Sequence, residues 1–143
     1  MTKRLLSLLA VSGLVFVLAA PLSAQAIRLS ANVPFEFVAG LSTLPAGEYQ
    51  LDNGIGPGVV RIWSEDSRSA SLVTSLALSG PRDKTNIQPR LIFHRYGNQY
   101  FLSEVWSGYE TSGRMIPVTK AERALSETAL SRGPETVVVL ARL

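Results

Sequence analysis

The sequence predicts an all-β domain, a small antiparallel barrel or sandwich of about seven to nine strands, with one C-terminal helix near residues 120–131. Three observations point there. Apolar residues recur with period two in short runs separated by turn residues. The period changes once, after Pro117, to that of a helix. The chain also has no cysteine, so no disulfide can staple it and a core must hold it together.

The first segment reads as an export signal. Lys3 and Arg4 precede an apolar run from Leu5 to Ala20, Pro21 breaks it, and Ala24-Gln25-Ala26 offers the small residues that signal peptidase accepts. The run is short for a membrane span of about 20 residues. Residues 1–26 are therefore expected to be a cleaved signal peptide. Residues 27–143 would form a single exported domain with no membrane span after cleavage. Its destination would be the periplasm or the outside of the cell.

The sequence pI of about 9.6 does not mark a nucleic-acid binder. Without Lys3 and Arg4 the formal charge falls from +3 to +1, and the remaining basic residues form no run.

Ile27–Val38 reads as extended, with Val33, Phe35 and Phe37 alternating and Pro34 favouring an edge or bulge. Leu44-Pro45-Ala46-Gly47 suits a β-turn, and Glu48–Leu51 follows as a strand with Tyr49 and Leu51 on one face. Asn53–Gly58 (NGIGPG) lacks the spacing of a phosphate loop and reads as a plain turn. Val59–Ser64 is the next strand. Ser69–Ser79 alternates most regularly. Ala70, Leu72, Leu76 and Leu78, with Thr74, fall on one face and Ser69, Ser71, Ser75 and Ser79, interrupted by Val73 and Ala77, on the other; the leucine face is expected to meet the core and the serine face water or a second layer. Gly80–Pro89 is a polar loop.

Arg90–Trp106 reads as a hairpin turning at Tyr96-Gly97-Asn98-Gln99. Gly108–Gly113 is a loop and Arg114–Val118 a short extended piece. Thr119-Lys120-Ala121-Glu122 fits a capping box. The helix that follows is expected to pack through Ala121, Ala124, Leu125, Thr128 and Ala129, and Gly133-Pro134 stops it. Thr136–Leu143 is a final β-branched strand.

The hairpin carries the candidate chemistry. His94 is the sole histidine, and a general base needs an orienting acid. Glu104 lies near in register, opposite Leu91 or Ile92 rather than His94 itself. His94 and Glu104 are the catalytic candidates. Arg95, Tyr96, Tyr100 and Trp106 are the binding candidates, because Tyr, Trp and Arg anchor interfaces; Tyr109 extends the aromatic set. One histidine without cysteine makes a poor zinc site, and no metal or cofactor is expected. Glu36, Glu48 and Glu104, on expected strands, could form an acid–base pair only by turning inward together.

Four stretches together resemble a group of short, exported, uncharacterised proteins associated mainly with acidobacterial soil bacteria. They are VPFEFVAG, LPAGEYQL, LIFHRYGNQYFLSEVW and GRMIPVTKAERAL, and the likeness runs from about Val33 to Leu125. The resemblance implies export and a compact β-rich domain. It brings no reaction, and no functional role for Phe93–Gly97 or Lys120–Leu125.

The missing catalytic constellation and the export signal favour a non-catalytic binding or structural domain of the cell envelope. Its partner would be an apolar small ligand in a barrel mouth or an envelope protein. The alternatives are a small hydrolase or isomerase using His94 with an acid such as Glu104, and an accessory subunit of an envelope complex.

Overall fold

The computed structural model describes residues 28–80, 88–108, 112–129 and 133–143. The expected signal peptide and its cleavage site, most of the Gly80–Pro89 loop, Tyr109 and the last residues expected of the helix lie outside these. No helix among the described residues is long and apolar enough to cross a membrane.

Among the described residues, eleven strands and one helix follow in order. They are β1 (Arg28–Val33), β2 (Phe37–Ala39), β3 (Ser42–Leu44), β4 (Gly47–Asp52), β5 (Val59–Ser64), β6 (Ala70–Thr74), β7 (Leu76–Ser79), β8 (Arg90–Tyr96), β9 (Gln99–Trp106), β10 (Ser112–Met115), α1 (Lys120–Thr128) and β11 (Glu135–Arg142). Nine strands run in the order β3-β2-β9-β8-β11-β1-β4-β5-β6, and β10 joins β7 to β9. The result is a nearly closed barrel, as the alternation predicts. It is mixed rather than purely antiparallel, because β2 meets β9 in parallel at Val38 and Phe101.

Alternation decides what points inward. Leu29, Ala31 and Val33 of β1, Tyr49 and Leu51 of β4, Val60 and Ile62 of β5, and Leu91 and Phe93 of β8 are all buried in one cluster. Phe37 sits at its centre, edge-on to Tyr49 at 5.2 Å and to Phe93 at 5.4 Å between ring centroids. The Tyr49 hydroxyl donates to the Pro45 carbonyl at 2.6 Å, so the one polar atom of this large buried ring is satisfied. A void beneath Leu51, Val60 and Val105 measures about 10 Å3, room for about one water. Among the described residues the inward side chains thus pack into one hydrophobic core.

The run Ser69–Ser79, which forms β6 against β5 and β7 against β10 rather than one strand, reverses an expectation. Ser71, Val73 and Ser75 face inward and are buried, whereas Leu72 and Leu76 are 63% and 54% exposed. The reason lies at the barrel's seam. Ser71 Oγ donates to the Ala39 carbonyl at 3.1 Å, linking the end strand β6 to β2, one strand in from the other end. Gly40, at φ +63°, has Val73 against it so closely that a Cβ would lie 2.8 Å from Val73 Cγ1. A leucine at position 71 would fill the space the seam needs.

The helix also differs from expectation. Thr119 is its N-cap, accepting from the Glu122 amide at 3.2 Å, as the capping box requires. The face turned to the barrel is Glu122, Leu125 and Ala129; Ala121, Ala124 and Thr128 are exposed.

Candidate functional site

Pairing across β7, β10, β9, β8 and β11 lines up side chains on the outer face of this half of the barrel. Directly opposed residues share a face, and Leu91 with Val105 marks the inner one. One outer row therefore runs Leu76–Met115–Glu104–Ile92–Val138, and the next runs Leu78–Gly113–Trp106–Arg90–Leu140. Five strands at about 4.8 Å spacing make this platform about 19 Å wide. Val138 and Leu140 are 51% and 58% exposed at one side, and Leu76 is 54% exposed at the other.

Trp106 is the centre of the platform. Its ring lies flat over Gly113, whose missing side chain makes the room: a Cβ there would stand 2.7 Å from the indole. Trp106 Nε1 donates to Glu104 Oε2 at 2.6 Å, and the Arg90 guanidinium sits 5.4 Å from the indole centroid, within cation–π range. Glu104 and Arg90 thus hold the ring on its two sides.

The next outer row, Thr136–His94–Phe101, belongs to the helix. His94 Nδ1 donates to Glu122 Oε1 at 2.8 Å, with the Glu122 side chain 5% exposed and that of His94 27% exposed. The Tyr96 hydroxyl reaches the same oxygen at 3.4 Å. Burial, then the Glu122 charge, pushes the Tyr96 hydroxyl above its ordinary value. Phe101 is buried beside them, edge-on to the Tyr96 ring.

The structure thus separates the candidates that the hairpin suggested. His94 has an acid, but it is Glu122 rather than Glu104. Sequence proximity favoured Glu104; the fold brings Glu122 from 28 residues away. Tyr96 joins His94 under the helix. Tyr100 stacks on Phe35 at 3.8 Å at the barrel rim. Arg95 lies over Tyr100 at 5.5 Å and bridges to Glu135 at 3.2 Å. Trp106 stands alone of these four on the platform, at the far end of β9. Glu36 and Glu48 are exposed and Glu104 faces outward, so no inward carboxylate pair forms among them.

Three features escaped the sequence. The first is Glu122 as the partner of His94; the capping box marked the residue but not its second role. The second is Asp52, buried on β4 and paired with Arg61 at 2.5 Å, with Arg61 in turn 4.4 Å over Trp63. The third is an open groove of about 390 Å3 between the Pro45–Tyr49 and Ser64–Ser69 segments. In it a hydrogen bond to Glu48 raises Glu65, and the Ser64 hydroxyl with the Arg68 amide lowers Asp66.

No cluster of three or more His, Asp or Glu able to hold a metal occurs among the described residues. Comparison with protein-family models, with curated proteins and with solved structures finds no match to this chain.

Proposed function

We propose that this protein is a non-catalytic binding domain of the cell envelope that docks a partner protein on the outer platform around Trp106. The supporting observation is the pair of outer rows described above, set against an interior already filled by the chain's own side chains. A small apolar ligand needs a concave, mostly enclosed pocket; the space of about 10 Å3 beneath Leu51, Val60 and Val105 is too small for one. An outer face carrying Trp106, Arg90, Met115, Ile92 and Leu140 has the composition of a protein-interface centre instead. Export follows from the basic, apolar and small-residue sections of residues 1–26.

The test pairs two variants. Val138→Asp on the platform should abolish complex formation with the envelope partner while leaving the fold intact. His94→Gln should leave complex formation unchanged. Equal loss in both, or in neither, would remove the platform from the account.

A second reading rests on the 2.8 Å contact between His94 and Glu122. An imidazole oriented by a buried carboxylate is the core of a general-base dyad, and the exposed part of His94 could meet a substrate. Turnover on ester or glycoside substrates by the wild type, lost in His94→Ala, would support a hydrolase. Absence of turnover would leave the pair as the latch that seats α1.

A further inference from the structure

We propose that the partner docks beside the platform by adding a short, apolar β-strand to the open edge of β11 at Thr136–Val138. This rests on the platform reading above and names its mode of contact. The Ala141 N–H donates to the Pro89 carbonyl at 2.9 Å, and the register sets Val139 opposite Leu91 and Val137 opposite Phe93. In an antiparallel pair, every second residue exchanges hydrogen bonds with its opposite. Val137, Val139 and Ala141 therefore turn their backbone groups to β8. Thr136, Val138 and Leu140 turn theirs to the far side.

On that side β1 pairs with β11 only at Ala141 and Arg142. The same register carried on would set Pro34 opposite Val138 and Glu36 opposite Thr136. Pro34 has no N–H to give the Val138 carbonyl, and β1 ends at Val33. Among the described residues, nothing else pairs with this flank of Thr136 and Val138. Proteins usually guard such an edge with a charge or a proline, and Thr136–Ala141 contains neither.

The core shows the same gap. Val137 and Val139 face inward with Phe93 and Leu91. Phe93 and Leu91 are 0% and 1% exposed, whereas both valines are only partly buried. The neighbour they lack is on the open edge.

These observations define the occupant. An extended backbone is what matches the donors and acceptors of Thr136 and Val138, as in recognition by strand addition. Directly opposed residues share a face. The added segment therefore sets side chains beside Val137 and Val139 on one face and beside Val138, 51% exposed, on the other. It is apolar on both faces, as a central strand is. It extends the outer row that ends at Val138. It is also short, because β1 occupies the flank at Ala141 and Arg142.

Two measurements test this. In the isolated protein, hydrogen exchange followed by nuclear magnetic resonance should leave the Thr136 and Val138 amides unprotected and those of Val137 and Val139 protected. Equal protection at all four would overturn the proposal, whether or not any variant folds. Complex formation is then read in intact cells as photo-cross-linking from position 138. Thr136→Pro removes an edge N–H and no bond to β8, so it should abolish the adduct with an unchanged circular dichroism spectrum. Thr136→Ala keeps the N–H and should leave the adduct intact. An adduct that survives Thr136→Pro would overturn strand addition and leave the platform standing. Loss in both variants would trace the effect to the threonine side chain and overturn it too. No adduct from the wild type would remove the platform itself. An adduct of twice the chain's own mass would put a second copy on the edge and overturn the proposal.

Discussion

At the scale of single residues, Glu122 holds the most consequences. Its amide is capped by Thr119, and its carboxylate takes the His94 ring and the Tyr96 hydroxyl. Removing one partner of a buried pair leaves a charge without compensation and costs about 3–5 kcal/mol when burial is complete. His94 keeps some exposure, so His94→Ala is expected to cost less, about 1–3 kcal/mol, read as a lower denaturation midpoint. Tyr96 adds a pH dependence. Its folded value is raised above 10, so the fold favours the neutral phenol. That contribution is fully present below about pH 10 and is lost as pH rises through the raised value. Tyr96→Phe should therefore flatten the alkaline fall in stability measured between about pH 9 and pH 11. Part of the slope should persist, because burial also raises Tyr49.

At the scale of elements, β6–β7 shows what the sequence could and could not reveal. Its period of two was legible in Ser69–Ser79, but the run forms two strands rather than one, β6 against β5 and β7 against β10. Which face turns inward was not legible. Leucine opposite serine points to leucine inside on transfer energies alone, yet the seam with β2 needs small residues and a hydroxyl for the Ala39 carbonyl. Long-range closure outweighed side-chain hydrophobicity at this one strand. The consequence is measurable: Leu72→Ser should change stability by less than about 0.5 kcal/mol, whereas Ser71→Ala should cost about 1 kcal/mol, because Ala39 keeps a buried carbonyl without its donor.

The same limit explains α1. The capping box fixed where the helix starts, because Thr119 and Glu122 interact locally. Its buried face depended on a histidine 28 positions earlier, which no local pattern encodes. The hairpin was legible through its turn and its alternation; Glu104 was expected opposite Leu91 or Ile92 and stands opposite Ile92, while the register shift between Ile92 and Phe93 was not legible. Its aromatic residues read as one cluster only because they are close in sequence. The strands carry them to the rim, to the helix and to the platform. At the platform, Gly113 is required by the indole above it. Gly113→Ala should displace Trp106 and cost about 1–3 kcal/mol through overpacking, with the loss visible in the near-ultraviolet dichroism of the indole.

At the scale of the whole molecule, the barrel is a filled scaffold that presents its outer face. The interior is closed by Phe37, Tyr49 and Phe93, the seam by Ser71, and one part of the outer face by α1 through Glu122. The platform over β7, β10, β9, β8 and β11 stays open, with Leu76, Val138 and Leu140 exposed. The most direct measurement is site-specific photo-cross-linking in intact cells. It would compare a photoreactive residue at Val138 on the platform with one at Gln50 on β4, in the opposite half of the barrel. A discrete protein adduct is expected from position 138, lost when Trp106→Ala is added, and none from position 50. Adducts from position 50 alone, or from position 138 regardless of Trp106, would contradict it.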